Sequence, residues 1–178
     1  QYLADAGDRW FYHNSPYSLV RDVLENATGK NINTYTFQKI GLKTGMRGLW
    51  VKVGYNNFYF STARSMARFG LLMLNQGTWN NTAVLSDLNY FNQMTNSSQT
   101  LNPAYGYLWW LNGKSSFIPP GVANSTNGLF APDAPADLFL AAGAQGQFCA
   151  VVPSQNLVMI RMGGSNIQSV VPEAFHND

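Results

Sequence analysis

Three apolar runs close the chain, each bounded by turn residues: 137–143 (DLFLAAG), 146–153 (GQFCAVVP) and 157–164 (LVMIRMGG). Runs this short, rich in branched and aromatic side chains and separated by Gly, Pro, Ser and Asn, read as strands. The PSQN stretch at 153–156 is a hairpin-like turn, with Pro153 just outside the pairing region where its missing N–H does no harm. The end of the chain is therefore expected to form an antiparallel sheet, and whatever precedes it must cover that sheet.

What precedes it is helical in pattern. Ser15-Pro16 reads as a cap followed by proline in the first turn; Leu19, Val20, Val23, Leu24 and Ala27 then recur on one face until Gly29, giving a helix over about 16–28. TYTFQKIG suggests a short second helix ending at Gly41, followed by a loop through LKTGMRG. A third helix opens at Ser61 or Thr62, turns Ala63, Met66, Ala67, Gly70, Leu71 and Leu74 inward and stops at Gly77; its small residues imply close packing. A weaker helical pattern covers 83–94, then TNSSQTLNP reads as loop, AYGYLWWL as strand, and 116–136 as a long Pro/Gly-rich excursion. Helices first and antiparallel strands last make the fold class α+β. The reading is one domain or a large piece of one over 1–178, with 1–100 mainly helical and 101–178 holding the strands and the start of a C-terminal helix.

Composition narrows the partners. Of 178 residues, 46% are hydrophobic and 11% charged, enough apolar matter for one packed core. The 11 basic and 9 acidic residues are scattered without runs, which leaves no electrostatic footprint for nucleic acid or a membrane surface. No apolar stretch approaches the roughly 20 residues of a membrane span. The lone Cys149 sits in an apolar run and reads as core, since a disulfide needs two cysteines. His13 and His176 are too isolated from Cys, Asp and Glu to suggest a metal site, and His13 is expected to face solvent. No Gly-rich phosphate cradle follows a strand, so a nucleotide site is not indicated, and no cofactor is expected. High Asn, Ser and Thr with few charges suit an extracytoplasmic protein, periplasmic or secreted.

One triplet raises a chemical question. Tyr12 and Asn14 form Tyr-x-Asn directly ahead of the first helix. Two readings are open: Tyr12 is an aromatic side chain stapling the helix entrance, or it transfers protons beside a substrate that the Asn14 amide positions. A phenol ordinarily titrates near pH 10, so one that works as a base at neutral pH must have its phenolate favoured by about 4 kcal/mol.

The surroundings of the triplet bear on that choice. WFYHNSPYSLV…VLENATGK, STARSMARFGLLMLNQGTW, YGYLWWL and AAGAQGQFCAVVPSQNLVMIRMG occur in this order. Together, over about 7–164, they resemble the later half of the serine hydrolases related to class C β-lactamases and penicillin-binding proteins, particularly the branch of esterases and 6-aminohexanoate-dimer hydrolases. The resemblance implies a β-lactamase/transpeptidase-like fold whose sheet is completed by N-terminal strands outside this chain. It also implies an acyl-enzyme mechanism on a small-molecule ester or amide, with Tyr12 as general base and acid and Asn14 positioning substrate. The edge-strand motif falls on Ala141-Ala142-Gly143, so Gly143 and Gln145 line the site and the Ala144 backbone N–H is the oxyanion donor, a role typically worth about 3 kcal/mol.

Three departures shape this expectation. The family nucleophile sits in Ser-x-x-Lys, and no serine here is followed three residues later by lysine; Ser18, Ser61 and Ser65 are followed by Arg21, Arg64 and Arg68, and arginine does not give up its proton in this pH range. The chain is therefore expected to be the C-terminal portion of a longer hydrolase, inactive by itself, with the missing N-terminal portion as its partner in the site. A catalytically silent β-lactamase-like domain that binds peptide or cell-wall ligands is the alternative.

The literal Lys43-Thr44-Gly45 comes too early to be the edge-strand motif and reads as a helix end with a solvated lysine. Finally, Ala141-Ala142 stand where β-lactamases and D,D-peptidases carry a cation, which points to an ester or amide with no required carboxylate. Gln145 and Gln147 are either neutral hydrogen-bonding groups there or turn and strand-surface residues. Likewise Tyr107, Trp109 and Trp110 form either an aromatic wall for an acyl group or ordinary core.

Overall fold

The computed structural model describes residues 4, 5, 7–13 and 15–164. Helix α1 spans Ser15–Thr28, close to the expected bounds. It leans on its neighbours through polar groups: Arg21 donates to Asn57 Oδ1 at 3.1 Å, and Asn57 Nδ2 donates to the Ser18 carbonyl at 3.2 Å. Glu25 Oε1 accepts the Ile32 N–H at 2.8 Å and the Arg21 Nε–H at 3.3 Å, closing the turn into the next helix. Apart from the partly buried Leu24, the apolar stripe expected to face the core does not do so. Leu19 is 61% exposed and Val23 66%, with Val20 also exposed. The periodicity built the helix, yet nothing among the described residues covers that face.

Helix α2 (Ile32–Thr36) is capped by Asn31, whose side chain accepts the Asn33 N–H, and runs through a π turn at Phe37–Gly41 into α3 (Leu42–Thr44). The helix thus continues past Gly41, where a loop was expected. It ends at Gly45, in the left-handed region at φ 72, which a residue without Cβ adopts at little cost. Thr44 is buried and donates to the Ile40 carbonyl at 2.9 Å, while Lys43 is exposed. Lys43-Thr44-Gly45 is therefore a helix terminus, as the sequence suggested.

Strands β1 (Gly48–Val53) and β2 (Asn56–Ser61) form an antiparallel hairpin that the helical reading of 1–100 lacks. Asn33 holds it to α2: its Oδ1 accepts the Trp50 N–H at 2.7 Å and its Nδ2 donates to the Trp50 carbonyl at 3.1 Å. Across the hairpin Trp50 pairs with Tyr59, ring centroids 5.1 Å apart.

Helix α4 (Ala63–Leu74) is capped by Thr62, which accepts the Ser65 N–H. Its buried side carries Ser65, Gly70, Leu72 and Met73; Leu71, expected inside, is instead 41% exposed. At Gly70 an added Cβ would overlap the Val158 side chain and reach within 3.1 Å of Cys149 Sγ, so the small residue is what lets the helix lie on the sheet. The 83–94 segment is helical only from Leu88: β3 (Thr78–Trp79) pairs with β4 (Thr82–Ala83), and α5 (Leu88–Met94) starts after its cap Asp87.

The sheet has order β10-β9-β8-β5, built from β5 (Trp110–Leu111), β8 (Phe139–Gly143), β9 (Gln147–Val152) and β10 (Leu157–Arg161), all antiparallel. The three terminal runs are the three long strands. AYGYLWWL contributes only two strand residues, with Leu108 at φ 64 breaking the extension, and the excursion holds a small hairpin of β6 (Ser116–Phe117) and β7 (Thr126–Asn127).

Strand alternation divides the core in two. Leu111, Phe139, Cys149 and Val151 join Leu72, Met73, Phe91 and Trp109 on the helix face. Trp110, Leu140, Ala150 and Val152 join Phe117, Phe130 and Ala131 on the other. Cys149 is buried, and burial pushes its thiol up to about 12, so it is a small hydrophobe.

Candidate active site

Strand β8 carries the expected edge motif out of the core. Ala141 packs on the helix-side cluster and Ala142 on the opposite one, the alternation that a pleat imposes, while Gly143 and Ala144 are exposed. Ala144 is the first residue of a 3-10 turn, Ala144–Gly146, so its N–H is not used within that turn. Gln145 sits next at φ 61 and is exposed. Arg161 of β10 reaches back to the Gly146 carbonyl at 2.6 Å, holding the turn to the sheet edge. Gln147 is occupied: its side chain donates to the Gly163 carbonyl at 2.6 Å and accepts the Gly163 N–H at 2.9 Å, a strand-surface role.

Tyr12 reaches the same side of the sheet. Tyr12 and Ala142 both pack against the cluster built around Trp110 and Phe130. The Tyr12 ring stacks on Trp110 at 5.8 Å between centroids with 23° between planes, and Tyr105 meets it edge-on at 6.1 Å. Tyr17, in the first turn of α1, lies 5.6 Å from it, and Trp10 lies 5.5 Å from Tyr105. Tyr17 hydrogen-bonds to Tyr105 at 3.3 Å between hydroxyl oxygens. Burial first, and then these phenols, raise the Tyr17 hydroxyl well above the ordinary phenol range; burial likewise pushes Tyr105 up to about 12.

Asn14 lies outside the described residues, as do His176 and the expected start of a C-terminal helix. His13 is exposed. Trp109 and Trp110 are buried core, which settles the aromatic-wall question against them, while Tyr107 is half-exposed and packs on Tyr90 at 5.8 Å. Two of the serines with arginine three residues on have structural bonds: Ser61 donates to the Arg47 carbonyl at 2.6 Å, and buried Ser65 accepts the Arg47 N–H at 3.1 Å.

Sequence reasoning missed Tyr17 and Tyr105. Neither belongs to the triplet, and Tyr105 stands 88 residues from Tyr17. A hollow of about 330 Å³, lined by Met73, Phe91, Asn92, Lys114, Asp137 and Phe139 among others, opens at the start of β8, the opposite end of that strand from Gly143.

An antiparallel sheet backed by helices in this way has counterparts in known proteins. The family model described as Beta-lactamase matches residues 1–168. The chain belongs to the β-lactamase family.

Solved structures carry the same fold. A protein of Bacillus anthracis provisionally named a 6-aminohexanoate-dimer hydrolase matches with TM-score 0.75 at 19% identity, over 99% of this chain and 44% of that one. A Bacteroides dorei protein provisionally named a β-lactamase matches with TM-score 0.64 at 13% identity, over 94% of this chain and 56% of that one. The chain thus spans about half the length of these β-lactamase-like relatives. No curated protein matches its sequence. Among the described residues no helix is long and apolar enough to cross a membrane.

Proposed function

We propose that the protein containing this chain is a serine hydrolase that cleaves an ester or amide through an acyl-enzyme, with a Ser-x-x-Lys nucleophile supplied by polypeptide outside these 178 residues. Tyr12 takes the nucleophile's proton and returns it to the leaving group, and Asn14, Gly143 and Gln145 hold the substrate. The Ala144 N–H donates to the oxyanion, a preorganised contact worth roughly 3 kcal/mol in a transition state. The observation that supports this reading is that Tyr12 and Ala142, on the strand that leads into Ala144, pack against the same buried cluster. The apolar Ala141-Ala142 favours substrates without a carboxylate at this position, because an anion left there without a cation would lose a charge-assisted bond of about 1.5–3 kcal/mol.

The exposed apolar face of α1 supports the same reading, since half of such a domain is a natural cover for Leu19, Val20 and Val23. A catalytically silent binding domain is the second reading, favoured by the lack of Ser-x-x-Lys in the chain.

The test is turnover of a p-nitrophenyl ester by the full gene product. Tyr12→Phe is expected to lower it about a hundredfold or more while leaving circular dichroism unchanged. Unchanged turnover removes Tyr12 from the mechanism, and a full gene product without Ser-x-x-Lys or turnover establishes the silent reading.

A further inference from the structure

The turn that carries the Ala144 N–H has little of its own to hold it still. Gly143, Ala144 and Gln145 are exposed, so core packing does not fix them. Gln145 at φ 61 and Gly146 at φ 74 both sit in the left-handed region, which disfavours a residue with a Cβ, and the glycines on either side add backbone freedom. An oxyanion donor works by being in place before charge develops, so a turn of this kind needs support from outside.

Strand β10 supplies that support. Arg161 Nη1 donates to the Gly146 carbonyl at 2.6 Å and reaches the Gln145 carbonyl at 3.4 Å, so one guanidinium group bridges two consecutive peptides. The Gln147 N–H closes the turn onto the Ala144 carbonyl, and a shift at residues 145 and 146 is thereby passed to Ala144. Arg161 is partly buried and stands opposite Phe148 in the β9–β10 ladder, which roots it in the sheet. Among the described residues the one ion pair joins Arg21 to Glu25, so no carboxylate draws Arg161 away. Its charge is spent on carbonyl oxygens, and a bond from an ionised donor is roughly twice as strong as a neutral one.

We propose that Arg161 is a positioning residue that fixes the direction of the Ala144 N–H toward the oxyanion. The inference rests on Ala144 being the oxyanion donor. The oxyanion is fully formed only beyond the ground state, so a loosened donor lowers kcat and kcat/KM together and leaves KM unchanged. An Arg161 that merely held the sheet together would lower the melting temperature without that split.

The experiment uses the full gene product, a p-nitrophenyl ester, and an arylboronic acid as a probe that forms a tetrahedral anion on a serine nucleophile. Arg161→Met, which keeps an apolar stem, is expected to lower kcat about tenfold with KM unchanged and to weaken boronate inhibition by a similar factor. The loss is smaller than the hundredfold or more of a deleted oxyanion donor, because the N–H is still present. Ala144→Pro deletes that N–H at the first position of the turn, where proline is tolerated, and is expected to show the larger loss in both readouts.

Native kcat and boronate affinity in folded Arg161→Met, with Ala144→Pro impaired, overturn the role of Arg161 and leave the oxyanion assignment standing. A change confined to KM or to melting temperature overturns it equally. A folded Ala144→Pro with native turnover overturns the oxyanion assignment and this inference with it, as does a full gene product that neither turns over the ester nor binds the boronate. Should Arg161→Met fail to fold, Arg161→Lys decides: an ammonium is a point donor that does not bridge two carbonyls, so paired losses in kcat and boronate affinity support the proposal and native values overturn it.

Discussion

Asn112 Oδ1 accepts the Ala131 N–H at 3.0 Å while its Nδ2 donates back to the Ala131 carbonyl at 2.9 Å, so one buried amide pairs with both backbone groups of a single residue. The same Nδ2 is also within 3.1 Å of the Ala134 and Pro135 carbonyls. This clamp holds the end of the long excursion against the sheet, where Phe130 stacks on Trp110 at 5.0 Å. Asn112→Ala leaves buried groups without partners and is expected to cost about 2–3 kcal/mol in urea unfolding. Asn112→Asp is expected to cost more at neutral pH, because a carboxylate would face three carbonyl oxygens. Equal stability of the Asp variant and the native protein would contradict the clamp.

Gly70 and Val158 mark the closest approach of α4 to the sheet. In an open helix Gly→Ala gains up to about 1 kcal/mol; here the methyl meets a packed side chain, and overpacking typically costs about 1–3 kcal/mol. Gly70→Ala is therefore expected to lower the melting temperature. Adding Val158→Ala should restore part of the loss, giving a non-additive double-mutant cycle.

The exposed stripe of Leu19, Val20 and Val23 predicts that the 178-residue chain associates when made alone. Leu19→Gln with Val23→Lys is expected to reduce that association in sedimentation velocity while leaving helix content unchanged. In the full gene product the same pair is expected to destabilise the fold, since the stripe would there be covered.

Glu25 gives a pH-dependent contribution with a defined sign. Its carboxyl is held below the ordinary range, first by the Ile32 N–H and then by Arg21. A lowered folded-state pKa means stability that is present above the unfolded value and lost as pH falls through the folded one. Glu25→Gln is expected to flatten the decline of melting temperature below about pH 4.3, the ordinary glutamate value. A native-like slope in this variant would show that Glu25 contributes nothing to acid sensitivity.

Much of the fold was legible because its signals are local. Ser15-Pro16 opened α1, Thr62 capped α4, Gly45 ended α3, and the three terminal runs became β8, β9 and β10. The β1–β2 hairpin was missed because its turn, Gly54-Tyr55, lacks the Asn-Gly or Asp-Gly signature, and because its hold on α2 comes through Asn33, 17 residues from Trp50. The helical reading of 83–94 began too early because Thr82–Ala83 pairs across a tight turn that propensity does not register. In the candidate site, Tyr12 was legible through its triplet and the company that triplet keeps.

The sequence by itself determined where helices start and stop, which runs become strands, and which family the pattern resembles, because caps, turns and periodicity act over a few residues. Only the tertiary structure decided that the α1 stripe is uncovered, that Leu71 turns outward and that Trp109 and Trp110 are core. It alone gathered Tyr12, Tyr17 and Tyr105 into one cluster of rings. Those outcomes depend on which surfaces meet, and contacts between segments tens of residues apart leave no periodic trace in either segment.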